Sequence, residues 1–295
     1  MTNPLLNGSM ILVTGSTGFL GKHLVKRLAA EGRELRCLAR PSSLRRVLEW
    51  LGVEVALGDV TDLSSLEKVM GGIKSVVHLA GILEEEEREG TENLVKSCQQ
   101  HGVERILYVS AMGADPHASS AYHRAKWEAE EQIRQSGLVY TILRSSVIFG
   151  EGDTFVNLFL SALKRLFLVP IPAGKEMTFQ PLYIDDMIDC LIQSLDDTHT
   201  EGESIEIGGP QFLTLAETIK IVAEFLGVRR RLVRTPPSLL HLAATLAERF
   251  DLNLPFISPE ICSIFHQPRP CDLTKFKTIF PLQLTLFREG LKRYL

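Results

Sequence analysis

The stretch ILVTGSTGFLG, from Ile11 to Gly21, sets three glycines between an apolar run and the start of an amphipathic segment. Each glycine answers a separate steric demand. Gly15 permits a tight turn after a strand, Gly18 lets the backbone approach a pyrophosphate, and Gly21 lets the next helix pack closely on the strand. Amides at the start of that helix have no intrahelical acceptor and point at an anion placed there. Gly15, Ser16, Thr17, Gly18, Phe19, Leu20 and Gly21 are therefore expected to form the phosphate-binding turn of a dinucleotide site.

The flanking sequence supports that placement. Short β-rich runs (MILVT, ELRCLA, VEVALG, SVVHLA, RILYVS, VYTILR) alternate with segments apolar at helical spacing. Among the latter are FLGKHLVKRLAAEG, LSSLEKVMGG, GTENLVKSCQQHG and YHRAKWEAEEQIRQSG, with glycine as the helix stop. Near-continuous apolar strands imply a parallel sheet covered on both faces, hence a doubly wound α/β, Rossmann-like fold. After Gly150 the rhythm changes: Pro170, Pro172 and Pro181 punctuate a loop, DDMIDCLIQSL reads as a helix and ESIEIGG as a late strand. LAETIKIVAEFLG and SLLHLAATLAERF follow as helices, separated by Pro236-Pro237. The expected division is a nucleotide-binding domain over 1–175, its sheet joined by a strand near 203–208, and a smaller lobe over 176–295. The acidic run Glu84 to Glu89 reads as the solvated first turn of a helix.

Composition narrows the function classes. The chain has 295 residues, 45% of them hydrophobic, and a net charge of -4, which gives no electrostatic reason to expect nucleic acid. Five scattered cysteines suit reduced thiols and a cytoplasmic setting, with a Cys262–Cys271 pair as the less favoured alternative. The opening MTNPLLNGS lacks the pattern of a signal peptide, and no apolar run reaches the length of a membrane span. No spacing suggests a metal site. FVNLFLSALKRLFLVP and SLLHLAATLAERF are amphipathic and carry basic residues, so peripheral membrane contact competes with plain burial of their apolar faces.

The second strand ends in CLARPSS, with Arg40 where an acid would accept from a ribose 2′-hydroxyl. A guanidinium beside Ser42 or Ser43 suits a 2′-phosphate, so NADP(H) is preferred and NAD(H) is the alternative. Asp59, with Val60, is placed to meet the adenine amino group, its other reading being the cap of the helix near Leu63. Leu79, Ala80 and Gly81 end the fourth strand with small groups along the cofactor path, and His78 reads as a core histidine. SAYHRAKWEAEE sets Tyr122 and Lys126 four residues apart, on one helical face.

Taken in order, TGSTGFLG, GDVTD, HLAG, EGTENLV, ILYVSAMGA, YHRAK, ILRSSVIFG, QPLYIDDM and IEIGGPQFLTLAE resemble the extended and atypical short-chain dehydrogenase/reductase superfamily over nearly the whole chain. SAMGA, KWEAEE, RSSVIFGEGDTFVN and FQPLYIDDM are most similar to the branch holding the nucleotide-binding accessory subunit of respiratory complex I and its bacterial relatives. The resemblance implies that Tyr122 transfers a proton and that Lys126 lowers the phenol pKa while holding the nicotinamide ribose. It also implies that Ser145 and Ser146 meet the carboxamide. Two positions depart from it. In the enzymes it resembles, the substrate-polarising hydroxyl lies two residues beyond the serine ending the fifth strand, but Met112 stands there, leaving Ser110, Ser145 or Ser146 as candidate substitutes. Glu87 stands three residues before Gly90, where many relatives carry asparagine. A missing donor to an oxyanion costs on the order of 100- to 1000-fold in rate.

Two functions follow. One is an oxidoreductase acting on an apolar carbonyl or quinone-like substrate, with Phe155, Phe159, Leu163, Phe167 and Phe179 as candidate lining. The other is a non-catalytic NADP(H)-binding accessory or assembly factor of a redox complex. A nucleotide-sugar epimerase is disfavoured by Met112 and Arg40.

Overall fold

The computed structural model describes residues 9–43, 45–81, 84–174, 178–236, 238–240, 242 and 270–295. Its first half is a strict alternation: β1 (Met10–Thr14), α1 (Phe19–Ala30), β2 (Leu35–Ala39), α2 (Arg46–Trp50), β3 (Glu54–Leu57), α3 (Leu63–Val69), β4 (Ile73–His78), α4 (Glu84–His101), β5 (Arg105–Ala111), α5 (Ala121–Arg134) and β6 (Val139–Ser145). The second half follows with β7 (Ile148–Phe149), α6 (Phe155–Arg165), β8 (Leu168–Pro172), β9 (Thr178–Phe179), β10 (Leu182–Tyr183), α7 (Ile184–Asp196), β11 (Glu203–Ile207), β12 (Leu213–Thr214), α8 (Leu215–Phe225) and β13 (Arg231–Thr235). Two short helices close it, α9 (Thr274–Ile279) and α10 (Phe287–Lys292).

The central sheet has seven strands in the order β11-β6-β5-β4-β1-β2-β3, and every neighbouring pair is parallel. The order reverses direction between β1 and β4, the topological switch point where open α/β sheets bind ligands. Register follows burial: Val13 pairs with Val77 on one side and Cys37 on the other, and all three are fully buried. One core layer joins Leu12, Val76, Leu94, Ile106, Tyr108 and Ile142. The helices stop at positive-φ glycines, as at Gly32 and Gly102, because only glycine adopts that conformation without strain.

The chain divides into two compact units, one of residues 1–145, 184–207 and 272–282, the other of residues 146–183, 208–271 and 283–295. A single cut near residue 175 does not describe this division. The chain leaves the first unit after Ser145 and returns at Ile184, where α7 lies against α1 with Arg27–Asp189 paired at 2.8 Å, and Arg33, beyond the end of α1, pairs with Asp196 at 2.5 Å. Strand β11 sits beside β6 at the sheet edge, Ile205 opposite Leu143.

Within the second unit, Phe155, Phe159 and Phe179 are core residues rather than an open lining. Phe155 meets Phe159 edge-to-face at 5.0 Å and Phe179 at 5.8 Å, and Leu163 is fully buried. Their apolar area is spent on each other. Phe167, by contrast, is 70% exposed. The helix expected over SLLHLAATLAERF lies largely outside the described residues, as does Cys262. Cys37, Cys98, Cys190 and Cys271 are buried thiols, and burial pushes Cys37 and Cys98 up to about 12, which leaves them unreactive. Among the described residues no helix is long and apolar enough to cross a membrane, and no acid, histidine or cysteine cluster is arranged for a metal.

Candidate functional site

The site begins at the glycine turn. Gly15 has φ +65°, and a Cβ there would lie 2.7 Å from the Leu79 carbonyl carbon, so the turn passes under the end of β4 only as glycine. A Cβ on Gly21 would meet the Gly15 oxygen at 2.2 Å, which is the close helix–strand packing read from the sequence. Gly18 is different: its backbone is ordinary and its position exposed. It caps α1 with no side chain, leaving the first-turn amides open to an anion. Thr14 Oγ1 accepts from the Leu79 and Ala80 amides at 3.2 and 3.3 Å, which ties the ends of β1 and β4 together. Ser16 is buried and donates to the Leu38 carbonyl at 2.7 Å, so its hydroxyl braces the turn.

A cavity of about 490 Å³ opens from this turn. It is lined by Gly15, Thr17, Gly18, Arg40, Ser43, Asp59, Val60, Leu79, Ala80 and Gly81, all expected, and by Leu38, Gly58 and Glu86, which were not. Ser16, Phe19, Leu20, Gly21, Ser110, Tyr122, Lys126, Ser145 and Ser146 are not part of the lining. Asp59 accepts from the Thr61 amide and hydroxyl at 3.1 and 3.0 Å. The cap of α3 is Asp62, which accepts from Ser64 N at 3.0 Å, so Asp59 is spared that task.

The acidic run is not simply solvated. Glu86 lines the cavity with its carboxylate 3.8 Å from the Arg40 guanidinium, and Glu87 is only 2% exposed. The sequence shows no acid beside Arg40; α4 brings one there from far along the chain.

Glu87 organises the ground beneath Gly81. Its carboxylate pairs with Lys126 Nζ at 2.9 Å and accepts from the Tyr108 hydroxyl at 2.5 Å. A Cβ on Gly81, φ +110°, would fall 2.2 Å from Glu87 Oε2, so a glycine is required above it. Lys126 also lies 3.4 Å from the Val109 carbonyl and 5.0 Å from the Tyr108 ring centroid. His78 stacks on Tyr108 at 5.4 Å and bonds Thr14 at 2.8 Å and Thr91 at 3.1 Å. Burial, with the Lys126 charge added, pulls its imidazole down to about 3, so it stays neutral, a core histidine as expected.

Tyr122 lies 5.9 Å from Lys126, measured from the ammonium to the ring centroid. The expectation that Lys126 would bring the phenol toward neutrality does not hold here. Burial pushes the Tyr122 phenol up; Lys126 pulls the other way, and Glu87 adds a further upward push. Burial outweighs the Lys126 charge, and Glu87 opposes that charge further.

Ser110 is committed elsewhere. Its hydroxyl donates to the fully buried Glu130 at 2.6 Å, and Glu130 is held by Arg144 at 2.8 and 2.6 Å and by Arg134. A serine hydroxyl has one proton, and this one is given to a carboxylate, so Ser110 has none left to polarise a carbonyl. Met112 donates its backbone N–H to the Ser145 carbonyl at 2.9 Å, which joins the ends of β5 and β6. Ser145 Oγ reaches the Ser110 carbonyl at 3.4 Å, and Ser146 belongs to the second unit.

Residues 15–158 match the NAD(P)H-binding protein family. The chain is 29% identical over 269 residues to NADH dehydrogenase (ubiquinone) 1 alpha subcomplex subunit 9, mitochondrial, of Arabidopsis thaliana, covering 86% of this chain and 67% of that protein. It is 28% identical to the NADH-ubiquinone oxidoreductase 40 kDa subunit, mitochondrial, of Neurospora crassa, covering 80% and 65%. A ceramide reductase of Caulobacter vibrioides is 26% identical, with 82% and 78% covered. The chain thus spans about two thirds of the length of the first two relatives. Among solved structures, a UDP-glucose 4-epimerase of Thermotoga maritima superposes with a TM-score of 0.76 at 20% identity, covering 96% of both chains. An epimerase of Methanothermobacter thermautotrophicus gives 0.74 at 20% identity, covering 98% of this chain and 91% of its own. At that identity the likeness concerns the fold alone.

Proposed function

We propose, for a chain that belongs to the NAD(P)H-binding, atypical short-chain dehydrogenase/reductase superfamily, that it holds NADP(H) without turning it over quickly and serves a larger redox assembly as an accessory protein. The observation that carries the reading is the buried Lys126–Glu87 pair at 2.9 Å. It sets an internal carboxylate against the ammonium that would otherwise activate Tyr122. The commitment of the Ser110 hydroxyl to Glu130 supports the same reading. The relatives named as subunits of NADH dehydrogenase motivate the redox-assembly partner.

The residues present fit the dinucleotide, since the glycine turn leaves backbone where a Cβ would close the space. The α1 amides would take the pyrophosphate, Asp59 and Val60 the adenine, and Arg40 with Ser43 the 2′-phosphate. When bound, the group supplies a hydride. In this reading Lys126 keeps a donor for the nicotinamide ribose, while burial, with Glu87 added, keeps the Tyr122 proton in place.

The second reading, an oxidoreductase of an apolar carbonyl, is favoured by Tyr122 and Lys126 sharing one face of α5 and by the relative named ceramide reductase. NADPH absorbance with a panel of quinones, aldehydes and ketones separates the two. The accessory reading expects slow oxidation that Tyr122→Phe does not change. A parent that turns over and loses about 100-fold or more in Tyr122→Phe, the scale of general acid catalysis, overturns it.

Cofactor choice is a separate expectation. Arg40 is about half exposed and faces Glu86, so its contribution to NADPH over NADH is discounted to about 1 kcal/mol, or five- to tenfold in affinity. Calorimetry should show Arg40→Ala removing that preference and Glu86→Gln enlarging it, since Glu86 repels a 2′-phosphate. Equal affinities for NADPH and NADH in the parent protein would refute the assignment.

A further inference from the structure

The second unit carries an exposed apolar patch set in a cationic rim. Strands β8 and β13 pair in parallel, with Arg231 opposite Leu168 and Val233 opposite Pro170. Paired residues of neighbouring strands share a face, so Leu168, Pro170, Arg231 and Val233 lie on one side, while Val169 and Ile171 are buried on the other. Leu168 is 54% exposed and Val233 41%. Phe167, exposed more than either, is tied to the same corner through its carbonyl, which accepts from Arg231 N at 3.3 Å.

Within the segments that build the patch, the charges have one sign. Lys164 and Arg165 end α6, Arg229 and Arg230 lead into β13, and Arg231 lies on it beside the patch. Arg230 Nε donates to the Leu163 carbonyl at 2.9 Å, which fixes this basic turn against the end of α6. No acid occurs in residues 155–172 or 225–235, although the whole chain is net negative at -4. Burial satisfies the apolar face of α6, through Val156, Phe159 and Leu163, but leaves Phe167, Leu168 and Val233 outside the core.

We propose that this face docks on an anionic lipid bilayer. Phe167 and Leu168 enter the headgroup boundary, and the surrounding Lys and Arg residues meet lipid phosphates. Charge complementarity favours this occupant. A bilayer is a uniform sheet of negative charge over hydrocarbon, and it asks for basic residues around apolar ones without a fixed register. A nucleic acid would use the rim and leave the apolar centre without a role. The inference goes beyond the dinucleotide site and does not rest on it.

Flotation of the full chain tests it, with vesicles of phosphatidylcholine alone and of phosphatidylcholine mixed with phosphatidylglycerol. Binding is expected only to the mixed vesicles and should weaken as salt is raised. Arg229→Ser/Arg231→Ser should lower partitioning on the order of 10-fold or more. Phe167→Ser/Leu168→Ser should do so by a similar factor, with melting and NADPH affinity of both variants at parent values. Protein that stays unbound on mixed vesicles overturns the proposal. So does binding that falls with salt and with the arginine change yet ignores the Phe167/Leu168 change, because that is the signature of a general polyanion contact.

Discussion

A Gly18→Val protein is expected to melt with the parent and to bind NADPH too weakly to measure. The reason lies in the contrast among the three glycines of the turn. Gly18 has φ −73° and ψ 178°, a conformation any residue adopts, and a Cβ there meets only the Gly15 oxygen, at 3.1 Å. The fold therefore accommodates a side chain if the Gly15 carbonyl gives by a few tenths of an ångström, and Gly18 lines the cavity in which the pyrophosphate is proposed to lie. Displacing that group from the α1 amides forfeits several charge-assisted hydrogen bonds of about 1.5–3 kcal/mol each, so the loss exceeds about 100-fold. Gly21→Val is the opposing control: its Cβ, 2.2 Å from the Gly15 oxygen, should lower the melting temperature itself. Calorimetric titration and thermal melting read the pair. Gly18→Val protein that binds NADPH normally would show that the turn is not the phosphate site.

What was legible in the sequence was whatever sterics and short-range periodicity impose. Gly15 and Gly21 are forced by clashes with neighbours close in the chain or at the adjoining strand end, and the strands announce themselves by apolar runs that reach full burial in β1, β4 and β5. The cavity lining expected around Arg40, Ser43, Asp59 and Leu79–Gly81 follows from that frame, because a doubly wound sheet puts strand ends at one edge. What escaped were pairings made by tertiary approach. Glu86 reaches Arg40, Glu87 reaches Lys126 and Tyr108, and Glu130 collects Ser110, Arg134 and Arg144 from three elements. A run of four glutamates at a helix start reads as solvated because each alone favours water and the helix dipole. Only the packing of α4 against α5 decides that one of them is buried and needs a cation. Glu87 and Lys126 each stand out in the sequence, but nothing in it joins them as a pair. The phenylalanines failed for the converse reason: spacing locates an apolar face but does not say whether it lines a pocket or fills a core.

These tertiary pairings also change what the site does. A solvated Tyr–Lys pair on one helical face would make a more acidic phenol; here burial first, and then the Glu87 carboxylate, push the Tyr122 phenol up against Lys126. Evidence for an accessory role therefore rests on a group outside the motif, and the stability of the protein should depend on that group.

The Glu87–Lys126 pair is expected to show the larger stability effect. Both side chains are buried, at 2% and 7% exposure, so removing one leaves the other as an uncompensated charge. Glu87→Leu should destabilise the fold by about 3–5 kcal/mol, because it strands the ammonium and also takes the acceptor from the Tyr108 hydroxyl. Lys126→Met should cost a comparable amount, leaving a carboxylate that only Tyr108 satisfies. The double variant Glu87→Leu/Lys126→Met should lose much less than the sum of the two, since a buried pair replaced by apolar groups of similar volume is often neutral. Urea unfolding would then give a coupling of about 2 kcal/mol or more between the two sites, well above the few tenths seen for independent positions. Glu87→Gln tests the electrostatic half with little change of shape. With the carboxylate gone, Lys126 is opposed by burial alone, so ultraviolet titration should find that tyrosine ionising at lower pH than in the parent. Additive single-variant costs, or a Tyr122 phenol that does not move in Glu87→Gln, would mean that Glu87 is a bystander and that the proton on Tyr122 is held by burial alone.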